Sequence, residues 1–262
     1  TEAHASGKGI KLLQQAGIEV VTGICEKQAR QLNAGFFKFA ETGLPWVVLK
    51  WAQSIDGNLA YKEAKKYGQW ISNAASRQDA NNHRRSMQGI LVGVKTVIED
   101  DPMLTVRPDT GRQPLRIVLD SNLNIPMDSK ILDVKAAPTL IIATHAGKDA
   151  KAEKASEIEK KGAVVLSVRD SNSRCDLQAV LEELGKRKIQ HLLVEGGAIV
   201  LAGFLESGLA DAVRIYIAPK IIASKGSASI SDYLKRLPTR KLTKVETREF
   251  DGDICITGLL EK

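Results

Sequence analysis

The sequence predicts an α/β domain with a mixed, mostly parallel sheet, flanking helices and a C-terminal antiparallel hairpin. Three observations carry this. Apolar runs of strand length alternate with helical stretches, the pattern of parallel strands joined by helical crossovers. Two late segments, 242–250 and 254–259, flank Asp251-Gly252-Asp253, whose turn chemistry closes a hairpin. At 262 residues the chain is long enough for one large domain, or a domain plus an appendage, with a core that needs no disulfide or metal.

The elements follow in order. Ile10, Leu12 and Leu13 mark a helix over 9–16 that stops at Gly17. Residues 18–21 read as a short strand, and 26–37 as a helix. Thr42-Gly43-Leu44-Pro45 interrupts regular structure, so a boundary is placed between 1–42 and 43–262. Beyond it, strands are expected at 46–52, 89–94, 115–120, 139–143, 163–168, 191–195 and 212–218. The hairpin strands are 242–250 and 254–259. Helices are expected at 74–87, 150–160, 176–187 and 198–207. Residues 93–107 read as a polar loop.

Composition narrows the function classes. Hydrophobic residues make up 43% and charged residues 26%, ordinary for a globular domain. No apolar run reaches the roughly 20 residues of a membrane helix. Lys plus Arg is 38 against 31 for Asp plus Glu, a formal charge of +7. That excess fits nucleic acid, an anionic surface or a phosphorylated small molecule. The basic residues are dispersed and aromatics are only 5%, which argues against a base-stacking platform. Cys25, Cys175 and Cys255 are isolated, and the four histidines form no ligand-spaced pair. No metal site is expected, and the sparse cysteines point to a reducing compartment.

Four segments have chemistry beyond packing. In Leu192–Ala198 a strand ends in Glu195-Gly196-Gly197 and a helix follows. Two glycines admit close backbone approach and the helix N-terminus favours an anion, so the segment is either a pyrophosphate cradle or a tight strand-to-helix turn. In Gly93–Arg107, Asp100-Asp101-Pro102 is a turn by its own chemistry; its carboxylates either hold a metal or ribose hydroxyls, or stay solvated. Lys50 lies inside an apolar strand and needs solvent or an anionic partner. Gly68–Asn73 leads into a helix carrying Arg77, Arg84 and Arg85, either a phosphate-facing set or a solvated face.

Together and in this order, the segments resemble the reductase domain of the bifunctional riboflavin-biosynthesis deaminase-reductases. The matching runs are Leu49–Gly57, with Ile55 for the usual leucine; Gln69–Ser72; the helix ending in Arg84; and Ile90–Gly93 with Thr96-Val97. Then come Asp100-Asp101-Pro102, Leu104-Thr105, Arg107, Pro114–Asp120 and Glu195-Gly196-Gly197. The likeness covers residues 43–262. Within 1–42, Gly7–Ile10, Ala16–Val20 and Leu32–Phe37 are similar to the tail of the deaminase domain in the same proteins. The deaminase zinc signature, His-x-Glu with Pro-Cys-x-x-Cys, is absent, so no deaminase activity is expected from this chain. Thr1 rather than Met stands first, which favours a fragment of a multifunctional enzyme.

The resemblance implies a dihydrofolate-reductase-like fold and an NADPH-dependent reductase. The reaction would convert 5-amino-6-(5-phosphoribosylamino)uracil to its ribitylamino product, in a cytoplasmic homodimer with no nucleic-acid or membrane partner. Carried over by position, the NADPH site would be Ala52, Trp70, Thr96, Asp100, Ser121 and the run Gly197, Ala198, Ile199, Val200, Leu201, Ala202 and Gly203. Gly68, Arg84, Leu104, Arg107 and Glu195 would meet the phosphorylated pyrimidine, with Arg84 and Arg107 on its phosphate. Lys50 and Glu195 would be catalytic, Lys50 as proton donor or orienting charge. The lysine-rich run 61–67 departs from the family's Gly/Ser-rich spacing and bears on Gly68. Two alternatives remain: a related reductase acting on another heterocycle, and a non-catalytic nucleotide-binding module.

Overall fold

The structure, a computed structural model, describes residues 7–108, 111–227, 229–234 and 240–261. Three helices come first: α1 (Lys8–Gln15), α2 (Glu26–Leu32) and α3 (Ala34–Thr42). Strand β1 (Trp46–Ser54) follows, then α4 (Ala64–Tyr67), α5 (Ala74–Arg84), β2 (Gly89–Gly93), α6 (Val94–Asp100), β3 (Leu115–Leu119) and β4 (Thr139–Thr144). Next are α7 (His145–Ala150), α8 (Ala152–Lys160), β5 (Val164–Val168), β6 (Asp170–Ser171), β7 (Arg174–Cys175), α9 (Leu177–Lys186) and β8 (His191–Val194). The chain ends with α10 (Ala198–Glu206), β9 (Ala212–Ala218), β10 (Leu242–Phe250) and β11 (Asp253–Leu260).

Nine strands form one sheet in the order β10-β11-β9-β1-β8-β2-β3-β4-β5. The seven from β9 to β5 run parallel, and β10 and β11 close one edge as an antiparallel hairpin. The expected mixed sheet is therefore present. From β1 the chain builds outward through β2, β3, β4 and β5. It then returns, inserting β8 between β1 and β2 and adding β9 on the other side of β1. Such a reversal of strand order opens a crevice at the carboxyl ends of the strands, here those of β1, β8 and β2.

Alternation along β1 sorts its side chains between two layers. Val47 and Leu49 join Leu192, Val194, Val180, Leu184, Leu201 and Phe204 beneath α9 and α10. Val48 joins Ile90, Val92, Val118 and Leu193 on the other face, with Val97 of α6 and Ile158 of α8. Helix α5 covers that second face farther along, where Ala80 meets Tyr216 and Cys255. Asn73 caps α5 by accepting from the Ser76 amide. Buried Asp253, at the start of β11, accepts from the Asn73 amide at 2.8 Å and the Ser76 hydroxyl at 2.7 Å, which fastens α5 to the hairpin.

Several expectations need correction. Residues 18–21 form no strand, because no neighbouring strand pairs with them. The helix expected over 26–37 is two helices hinged at Asn33. Residues 94–100, read as loop, are α6, which ends where Asp101 takes φ 40°. The helix expected from 150 starts at His145 and is split in two at Lys151. The small pair β6–β7 was not anticipated.

Candidate active site

Register brings the central charges together. Leu49 pairs with Val194, so Glu195, one residue further, comes level with Lys50. The Glu195 amide donates to the Leu91 carbonyl at 2.9 Å, which holds it at the mouth of the crevice. Arg84, on the last turn of α5, reaches down to Glu195 from above. Its Nε donates to Oε1 and its Nη2 to Oε2, both at 2.8 Å, a two-pronged pair. Lys50 Nζ lies 3.8 Å from Oε2. The Glu195 side chain is only 7% exposed, and both cations are largely covered. Burial opposes the Glu195 carboxylate, but Arg84 and Lys50 outweigh it and hold its pKa at about 2. Burial pulls the Lys50 ammonium below its ordinary range; Arg84 and Arg214 add to that pull and Glu195 resists it. Lys50 thus has the anionic partner its strand position required.

Beside this cluster lies the turn into α10. A Cβ on Gly196 would stand 2.8 Å from Val200 Cβ, and one on Gly93 would stand 2.9 Å from Val200 Cγ2. Both glycines are needed to seat that valine. Gly197 is exposed, and Thr96 Oγ1 of α6 lies 3.6 Å from where its Cβ would be. The two strand-to-helix turns therefore meet at one point. The Ala198 and Ile199 amides open α10 with no acceptor inside the helix. Val200 already bonds to the Gly197 carbonyl. Leu201 and Ala202 are buried in the core, and Gly203 packs toward Leu177 of α9. Of the expected run Gly197–Gly203, only its first residues face the crevice.

The other expected residues divide. Ala52 lies two residues beyond Lys50 on the same face of β1 and packs against the Tyr216 cluster. Trp70 is 56% exposed, with the Arg77 guanidinium 5.4 Å from its ring centre. Gly68 is exposed at φ 100°. Burial raises the Asp100 carboxyl pKa while Gln69 hydrogen-bonds to it, so the 68–70 segment touches the end of α6. Asp101 accepts from the Lys130 amide and pairs with its ammonium at 3.1 Å, so the two carboxylates are separately engaged. Among the described residues no cluster of three or more metal-ligating side chains forms. Leu104 is buried at φ 50°, leaving its backbone as its contribution to the crevice. The Arg107 carbonyl is tied to Asn81 and Arg85 of the α5 segment, while the residue itself is exposed. Arg84 is different: its guanidinium is committed to Glu195, which leaves Arg107 the freer cation. Ser121 sits three strands from β1 and bonds Cys175 through its hydroxyl, away from the Lys50 cluster.

The family model of the RibD C-terminal domain matches residues 45–256. The chain belongs to the RibD C-terminal domain family. The riboflavin biosynthesis protein RibD of Aquifex aeolicus is 42% identical over 245 residues, 92% of this chain and 65% of that protein. Acinetobacter baumannii RibD superposes with a TM-score of 0.80 at 30% identity, covering 99% of this chain and 70% of that one. A Thermotoga maritima structure titled diaminohydroxyphosphoribosylaminopyrimidine deaminase/5-amino-6-(5-phosphoribosylamino)uracil reductase gives 0.80 at 27% identity, over 100% of this chain and 69% of that one. The chain spans about two thirds of the length of these relatives.

One set of buried polar residues in this RibD C-terminal domain was not foreseen. Tyr216 donates its hydroxyl to Asp79 at 2.6 Å, Arg214 Nε donates to Tyr216 at 2.8 Å, and Arg214 also pairs with Asp79. The sequence signal was available. Arg214 and Tyr216 alternate along a strand expected to be covered by helices, and an isolated Asp79 lies on the helix above.

Proposed function

We propose that this domain is the reductase that converts 5-amino-6-(5-phosphoribosylamino)uracil to 5-amino-6-(5-phosphoribitylamino)uracil with NADPH. The observation that carries the reading is the buried Lys50–Glu195–Arg84 cluster at the reversal of strand order, one residue from the Gly196–Gly197 turn. The residues fit a dinucleotide. An exposed glycine, a threonine hydroxyl beside it and the free Ala198 and Ile199 amides make a surface for its pyrophosphate. Ala52, Trp70 and Asp100 would complete the same site. When bound, the nicotinamide supplies hydride to C1′ of the ring-opened, imine-like ribose.

The chain's own residues then have two tasks. Arg107, exposed beside the α5 segment, would meet the substrate phosphate, a pairing that favours arginine over lysine. Lys50 would give a proton to the nitrogen attached to C1′ when that carbon is reduced. Its lowered pKa makes that proton easier to give up than an ordinary lysine's. Glu195, fixed by Arg84, keeps the ammonium aimed at the crevice. Deamination is not carried by residues 1–42, which hold no His-x-Glu or Pro-Cys-x-x-Cys. We read that segment as the tail of a deaminase portion, and the assembly as a homodimer.

The test is NADPH oxidation, followed by the loss of its absorbance, with the phosphoribosylamino-uracil and, separately, with dihydrofolate. Turnover of the uracil alone supports the proposal. Turnover of dihydrofolate alone sinks it in favour of a related reductase, and NADPH binding without turnover of either favours a nucleotide-binding module.

A further inference from the structure

Strand register places Arg214 of β9 directly beside Lys50 of β1, and Tyr216 on the next same-facing rung, opposite Ala52. The Tyr216 ring centre lies 5.7 Å from Lys50 Nζ and also 5.7 Å from the Arg214 guanidinium carbon. Neither arginine nor tyrosine is loose. The Tyr216 hydroxyl is held between Arg214 and Asp79, and Asp79 is carried by α5, the helix that supplies Arg84. The Arg214 side chain is only 14% exposed. A cavity of about 230 Å³ lined by His83, Val48, Thr257 and Arg214 adjoins the network. Packing alone would leave the guanidinium room to turn into it, so the Asp79 and Tyr216 bonds are what fix it.

We propose that Arg214, anchored through Tyr216 and Asp79, is a positioning residue for Lys50: the fixed cation beside it drives the ammonium toward Glu195 and the reacting centre. The proposal rests on the reductase reading for its catalytic consequence, but not for its electrostatic one. The groups facing Lys50 are Glu195 from β8, His83 and Arg84 from α5, and Arg214 and Tyr216 from β9. Burial, together with Arg214 and Lys50, keeps His83 neutral with a pKa near 4, so it adds no charge at neutral pH. Burial and Asp79 keep the Tyr216 phenol protonated. The fixed like charge on Lys50 from its own sheet is therefore Arg214.

The test follows the Lys50 titration by NMR in the full chain labelled with 13Cε-lysine, with Lys50→Met assigning the signal. Removing the neighbouring cation in Arg214→Gln should raise the Lys50 midpoint by roughly half to one pH unit, and Arg214→Lys should restore it. In the enzyme assay, Arg214→Gln should move the alkaline limb of kcat/KM upward by the same amount. It should also lower kcat roughly tenfold, with KM for NADPH changed by less than about twofold. Should Arg214→Gln not fold because Asp79 is left unpaired, Asp79→Asn/Arg214→Gln removes both charges and should still raise the midpoint. A folded variant with an unshifted Lys50 midpoint overturns the proposal and leaves the network a purely structural tie. A shifted midpoint in a protein without reductase activity keeps this inference and removes the function proposed above.

Discussion

Glu195 touches two cations at once, so its loss exposes what each side chain contributes. Glu195→Gln keeps the shape but leaves Arg84 and Lys50 facing each other without an anion. Breaking a buried pair in this way costs roughly 3–5 kcal/mol, and urea unfolding at pH 7 should show it. The pH dependence has a definite sign. Glu195 has a folded pKa of about 2 against an ordinary value of 4.5, so the stability it contributes is complete above about pH 4.5. It is lost as pH falls toward 2, and the difference between wild type and Glu195→Gln should shrink over that window. Lys50→Ala tests the other partner. It removes the proposed proton donor without touching the Gly197 turn, so kcat should fall roughly 10²–10⁴-fold. NADPH affinity, measured by fluorescence titration, should stay within about twofold. Unchanged turnover would remove Lys50 from the reaction.

The strand-to-helix turns are where single elements decide binding. Val200 is seated between Gly93 and Gly196, and a methyl on Gly196 would stand 2.8 Å from its Cβ. Gly196→Ala should displace the start of α10 and weaken NADPH roughly tenfold, about 1.4 kcal/mol. Val200→Ala in the same chain should recover most of that, because the clash and its relief belong to one contact. Independent, additive effects of the two changes would rule out this account. The same turn shows how far elements were legible. Eight of the nine main strands were readable as apolar runs bounded by turn residues, the polar ninth (242–250) only through the Asp251-Gly252-Asp253 turn that follows it, and Glu195-Gly196-Gly197 was readable as strand, turn and helix start. Helix α6 was not, because its seven residues are polar on one side and run straight into Asp-Asp-Pro. The Lys50–Glu195–Arg84 contact was legible only as a need for an anion near Lys50. Its partner depends on β8 slotting between β1 and β2, a long-range register that local pattern does not contain. The pairing of Arg84 with Glu195 follows from that same insertion.

At the scale of the whole molecule, packing does not stop at the break in the sequence. Thr42-Gly43-Leu44-Pro45 marks a turn, and the family match begins at residue 45. Yet α3, before that turn, is built into the sheet. Lys38 pairs with buried Asp211 at 2.5 Å, and the same carboxylate accepts from the Val47 amide of β1 at 2.8 Å. Gly35 is pressed so closely on His191 of β8 that a Cβ would lie 2.1 Å from the imidazole. By contrast, α1 and α2 bury no residue, and Leu12, Val21, Ile24 and Leu32 stand open. The cooperative unit should therefore begin near Ala34. Deleting residues 1–32 should move Tm by no more than about 2 °C, since the described residues of that segment bury almost no apolar surface. Gly35→Ala, a single methyl inside the unit, should cost about 1–3 kcal/mol through overpacking and lower Tm by several degrees. His191→Ala in the same chain should relieve most of that clash. A deletion that unfolds the domain while Gly35→Ala is silent would place the boundary on the other side of α3.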